Sequence, residues 1–296
     1  MTSVVEQRAQ RADSRDPMLA LDRDAVLWRN SGDLRTMLVS VRALVLQVAY
    51  PMVGAGVGEH SVYKTDPWGR LYRSVKSLMT QIYGSERAVA EGRRLHELHK
   101  QIKGVDAQGR RYSALNPEAF YWVHATVLEG ALVFQEKFDR PLSADEVDSI
   151  YDEWRRVGLM LGLRETDLPA DIDGFWRRWD EIRAKLENNA VVQDVLHNGP
   201  TKPRWLPVPQ RWLDTLNRPA MKLQRDIAAW TLDDDLRETI GLASLTAREE
   251  RRLVRLARIT RLLGRVLPDP VRFPLPIYIA RRRAMARTIT PHQHAA

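Results

Sequence analysis

Apolar residues recur at helical spacing along most of the chain, and alternating runs bounded by turn pairs are scarce, which predicts an all-α protein. Asp66 followed by Pro67 reads as an N-cap and first helical residue, with Gly84 as the C-terminal stop. Between them Trp68, Leu71, Tyr72, Val75, Leu78, Met79 and Ile82 form one apolar stripe. Arg70, Arg73 and Ser77 fall on the polar side of that helix, and Ser74 lies at its flank. Ser85 opens the next helix and Gly104 closes it, with Ala88, Leu95, Leu98, His99 and Ile102 facing inward and His96 off that stripe. Asn116 and Pro117 start a further helix, and Ser143 with Glu146 and Thr246 with Glu249 have capping-box spacing. Pro200, Pro203, Pro207 and Pro209 mark an irregular crossing, either a linker or a loop over one core, and the pattern breaks again from Pro268 to Pro276.

Length and composition add a class to that pattern. At 296 residues, with 44% hydrophobic residues and nine Trp, the chain can bury a substantial core. The expectation is one helical domain over residues 18–287, a disordered segment 1–17 and a polar tail 288–296. Cysteine is absent, so disulfides, thiolate nucleophiles, Fe–S clusters and Cys-ligated haem are excluded, and any metal must use His, carboxylate or Tyr. That absence fits a reducing cytoplasm, and the polar stretch Met1 to Pro17 lacks the apolar centre of a secretory signal. The most apolar segment, Met37 to Gly58, is interrupted by Arg42, Pro51 and several glycines, and makes a poor membrane span. A net charge of +8 permits attraction to anionic lipid or nucleic acid without specifying either.

Candidate chemistry centres on His124. On a helical wheel Phe120, Val127, Leu128, Ala131 and Phe138 flank it, while Glu129, Glu136 and Lys137 lie opposite, so the imidazole faces inward. Two readings stand: a core histidine hydrogen-bonded to a carbonyl, or a proximal ligand to haem iron. His96-Glu97-Leu98-His99 is one residue too short for H-E-x-x-H, and no Glu precedes a His by three positions as a di-iron bundle requires. His99 alone reads as an interior histidine or as the lining of a cofactor pocket. Gly54-Ala55-Gly56-Val57-Gly58 lacks the last glycine of a dinucleotide loop, and Ser61-Val62-Tyr63-Lys64 lacks the companion motif of a serine hydrolase. The arginines of the Asp66 helix form either a solvated face or one side of a site where Arg grips a carboxylate.

Five segments in series carry a resemblance: Gln47 to Pro51, Glu59 to Ser61, Asp66 to Ser74, His99 to Gly104, and Tyr121 to Thr126. Their order and spacing resemble the MpaB-type oxygenase family, which distantly includes the latex-clearing rubber oxygenases, over roughly Leu27 to Gly199. The resemblance implies an all-helical fold enclosing a haem b pocket, with the histidine of the Trp-Val-His-Ala-Thr segment, here His124, as proximal iron ligand. Family patterns also carry an Arg followed four residues later by Thr, matched here by Arg70 and Ser74. The rubber-cleaving branch has a Lys just before that Thr, where this chain has Arg73, whose guanidinium stays protonated. That difference argues against rubber cleavage itself. The same branch uses an upstream acid as a base, and the nearest one here, Glu59, matches its spacing only loosely.

The resemblance thus implies a haem b oxygenase in which His124 holds the iron, Arg70, Arg73 and Ser74 serve the reaction, and Arg70, Ser74 and His99 border the cofactor. The implied substrates are O2 and a small apolar, isoprenoid-like alkene. Arg248 to Arg265 and Arg281 to Arg287 read first as ordinary solvated helix faces; a cytoplasmic protein resting peripherally on anionic membrane through them is also compatible with this reading, and nucleic acid is not an expected partner. The alternative is a non-catalytic haem carrier or sensor, or a haem-free helical protein that binds anionic lipid.

Overall fold

The computed structural model describes Leu21 and residues 25–84, 86–198 and 209–288. The helix opener expected at Ser85, the segment 1–17, Pro200, Pro203, Pro207 and all but the first residue of the 288–296 tail lie outside them. Among the described residues the fold is all-α: α1 (Val26–Asn30), α2 (Ser40–Ala49), α3 (Pro51–His60), α4 (Pro67–Tyr83), α5 (Glu86–His99), α6 (Pro117–Phe138), α7 (Ala144–Met160), α8 (Ile172–Arg183), α9 (Ala190–His197), α10 (Gln210–Thr231), α11 (Asp234–Ile240), α12 (Ala247–Val266), α13 (Asp269–Arg272) and α14 (Leu275–Thr288). Short 3-10 turns at Leu34–Val39 and Glu165–Asp167 link them, and a two-stranded hairpin, β1 (Lys103–Val105) with β2 (Arg111–Ser113), separates α5 from α6.

The helix starts follow from local chemistry. The Asp66 carboxylate accepts the Gly69 N–H at 3.0 Å, and the Asn116 side chain accepts the Ala119 N–H at 3.0 Å, each ahead of a proline that has no N–H to satisfy. Ser143 with Glu146 and Thr246 with Glu249 both close reciprocal capping boxes.

Helix α6 is the spine of the core. Trp122 is fully buried on it, donating its indole N–H to the Leu46 carbonyl at 2.8 Å and meeting the Trp179 ring at 4.5 Å. The wheel placed Glu129 on the far, polar side of this helix, and the structure corrects that: α2 covers the side in question, and Glu129 is buried in a two-pronged ion pair with Arg42. A carboxylate can be held there only because a buried guanidinium neutralises it.

Two other expectations change. Gly104 does not end a helix: α5 stops at His99, and Gly104 sits in β1 opposite Tyr112. A β-carbon at Gly104 would lie 2.5 Å from the Tyr112 hydroxyl, and Gly109 at φ +78° closes the turn while Asp106 accepts the N–H groups of Gln108 and Arg110. The stripe on α4 is covered only at its C-terminal end, where Ile82 is buried, while Trp68, Leu71 and Tyr72 remain open to solvent. The glycines from Gly54 to Gly58 lie inside α3, in keeping with the absence of a dinucleotide loop.

Arg281 departs from the expected basic tail. Its guanidinium is buried over the Phe273 ring at 4.1 Å and donates to the Arg29 carbonyl at 2.9 Å, so it fastens α14 to α1 instead of facing solvent. Among the described residues no single helix is long and apolar enough to cross a membrane; Leu34–Ala49 and Pro51–His60 pass that test only as a pair bent by 101°.

Candidate cofactor site

His124 lies on the inner face of α6, flat against Trp154 of α7, with ring centroids 4.4 Å apart and planes 7° from parallel. Its Nε2 sits 2.9 Å from the Trp154 carbonyl oxygen; a carbonyl only accepts, so Nε2 carries the proton and donates. Trp154 returns the bond, its indole N–H donating to the His124 carbonyl at 3.1 Å. A glycine on α7 makes the approach possible, because a β-carbon at Gly158 would stand 2.9 Å from that Nε2. Complete burial pulls the imidazole pKa down to about 3 against the opposing effect of the Trp154 carbonyl, so the ring is neutral.

The gap bounded by His124, Tyr121, Tyr151, Trp154, Leu168 and Phe175 has no room for a water molecule. Stacked on an indole and hydrogen-bonded to the main chain, His124 has the contacts of an interior histidine, the first of its two readings.

His99 is different. Its Nδ1 is buried and has no hydrogen-bond partner among the described residues, while its ring meets the edge of Phe120 at 5.4 Å. Burial lowers its pKa, with His96 and Arg94 acting in the same direction, so it too is neutral near pH 7. A buried aromatic nitrogen left without a partner is costly, which singles out His99 among the candidate site residues. Close by, His96 and Phe120 help line a cavity of about 170 Å³ with Leu115, Leu161 and Leu163. The sequence placed His96 off the inward stripe, yet its ring helps line this cavity and lies beside Gly162.

Helices α4 and α5 follow one another across a short link and pack as a helical hairpin, with Arg70 in the first turn of α4 and His99 at the end of α5. The Arg70 guanidinium is largely buried and faces no carboxylate among the described residues; burial lowers its pKa, and Arg73 adds to the effect. Arg73 itself is exposed and paired with Asp66 at 3.1 Å, and Ser74 is exposed. The structure therefore sets Arg70 and His99 apart from the other candidates by the same property, a polar group withdrawn from water without a counterpart.

A further cluster was read only in part in the sequence, which named Glu59 and missed Tyr112. Tyr112 donates its hydroxyl to Glu59 at 2.5 Å and lies 3.0 Å from His60 Nε2, and burial together with the Glu59 carboxylate pushes its pKa up to about 12. The turn signal around Gly109 was the cue that would have brought Tyr112 beside α3.

The domain is all-helical among the described residues, and one helical hairpin carries both the unpartnered Nδ1 of His99 and the Arg70 guanidinium, which faces no carboxylate among the described residues. Residues 28–262 match the family described as ER-bound oxygenase mpaB/B'/rubber oxygenase, catalytic domain, and the chain belongs to it. It is also 28% identical over 185 residues to an uncharacterized protein of Mycobacterium tuberculosis and, to the same extent, to one of Mycobacterium bovis, matches that cover 59% of this chain and 70% of each relative. No solved structure matches it.

Proposed function

We propose that the chain is a haem b-dependent oxygenase that uses O2 to oxidise or cleave the C=C bond of a small apolar, isoprenoid-like alkene. The observation that carries this reading is the orphaned, buried Nδ1 of His99 inside an oxygenase-family domain. His99, in place of His124, would hold the iron, and Arg70 would take a propionate carboxylate through its two-pronged guanidinium. When bound, the haem supplies the activation of O2. The chain supplies the rest. The lowered pKa of His99 keeps a lone pair free at neutral pH, and the Phe120 edge fixes the orientation of the ring. Trp68, Leu71 and Tyr72, exposed on the apolar stripe of α4, offer a face along which a hydrocarbon chain can lie.

The test is an absorption spectrum of the full chain purified with haem supplied, followed by O2 uptake with and without an isoprenoid alkene. A Soret band with alkene-dependent O2 uptake is expected. A chain that takes up no haem contradicts the proposal, and a Soret band without uptake assigns the protein to non-catalytic haem binding.

A further inference from the structure

Helix α12 turns outward a face that mixes arginine with aliphatic side chains. Its buried side consists of Leu253, Ala257 and Thr260, and about 100° of rotation per residue carries Arg251, Arg255, Arg258, Ile259, Leu262 and Val266 away from it. Ile259 is 55% exposed, Leu262 58% and Val266 63%, values that place three aliphatic side chains of one helix in water. Exposed aliphatic residues continue after the helix at Val271 on α13 and Leu275 on α14.

The arginines of this face have no acidic partners among the described residues. The acids of α12 are Glu249 and Glu250 in its first turn, and Glu249 is already engaged by Lys222 and by the Thr246 cap. Arg251, Arg255 and Arg258 are ion-paired with nothing among the described residues. An ordinary solvated helix offsets its arginines with acids three or four residues away and keeps aliphatic residues inside. Nucleic acid would use the arginines and gain nothing from Ile259, Leu262 and Val266, whereas the boundary of an anionic bilayer uses both.

We propose that α12 is a docking face for an anionic phospholipid bilayer, lying in the plane of the surface with its aliphatic side chains at the acyl boundary and its arginines at the level of the phosphates. This assignment does not depend on the proposed oxygenase chemistry. The test is cosedimentation of the full chain with vesicles of phosphatidylcholine alone and of phosphatidylcholine mixed with phosphatidylglycerol, at low and high salt. The wild type sediments with the mixed vesicles only, and salt weakens the binding. Replacing Arg251, Arg255 and Arg258 together with Gln lowers partitioning roughly a hundred-fold, from the ordinary contribution of a basic side chain near an anionic surface. Replacing Ile259, Leu262 and Val266 together with Ser also lowers it, with the far-ultraviolet circular dichroism unchanged because all three are exposed. Absence of binding to mixed vesicles, equal binding to both vesicles, full binding by the serine variant, or displacement by duplex DNA would each overturn the proposal; the wild-type comparisons hold even where a variant fails to fold.

Discussion

His124→Gln removes a pH dependence that the buried imidazole builds into the fold. The imidazole titrates near 6.5 in the unfolded chain and near 3 in the folded one. Between those values the unfolded state holds one proton more, so stability is fully present above the unfolded value and is lost as pH falls, by about 1.4 kcal/mol per pH unit. By pH 5 the loss amounts to roughly 2 kcal/mol, and the full depression of the pKa corresponds to nearly 5 kcal/mol, both order-of-magnitude figures. Glutamine keeps an N–H for the Trp154 carbonyl and does not titrate. His99 contributes a slope of the same sign in both proteins, so the difference between wild type and variant isolates His124. Urea unfolding followed by tryptophan fluorescence at a series of pH values measures it. The two stability curves are expected to run parallel above pH 7 and to converge by about 2 kcal/mol at pH 5. Curves that stay parallel throughout would refute the claim that His124 is a neutral, desolvated core residue.

Three shorter predictions follow from the packing. Arg42→Met strands the Glu129 carboxylate in the core and is expected to cost about 3–5 kcal/mol in chemical denaturation, while Arg42→Met with Glu129→Leu recovers most of the loss. Gly158→Ala pushes a methyl to 2.9 Å from His124 Nε2 and is expected to destabilise by about 1–3 kcal/mol; a variant as stable as wild type would show that the His124–Trp154 contact yields easily. Arg70→Gln removes an uncompensated charge, so it raises the thermal midpoint of the haem-free chain, yet it weakens haem retention roughly tenfold, read by transfer of haem to apomyoglobin.

The parts of the fold governed by neighbours in sequence were legible before any coordinates. Asp66, Asn116, Ser143 and Thr246 all cap the helices they were expected to cap, because a cap is a contact within three residues. The site was legible only in part. Inward orientation of His124 followed from periodicity, but periodicity is blind to what the ring meets inside, here a backbone carbonyl thirty residues away. The resemblance pointed to the same residue and could not see that bond. Glu129 was misplaced for a related reason: a wheel assumes one covered face, whereas α6 is covered on opposite sides. His99 needed the converse fact, a missing partner, which no spacing rule predicts.

The most direct measurement of the central claim compares the Soret and visible spectra of the haem-loaded wild type with those of His99→Ala and His124→Gln. His99→Ala is expected to lose the band or to shift it to that of a weakly ligated, high-spin iron, with imidazole added in solution restoring it, whereas His124→Gln keeps the wild-type spectrum. The reverse outcome, an unchanged spectrum in His99→Ala and a lost one in His124→Gln, would contradict the account.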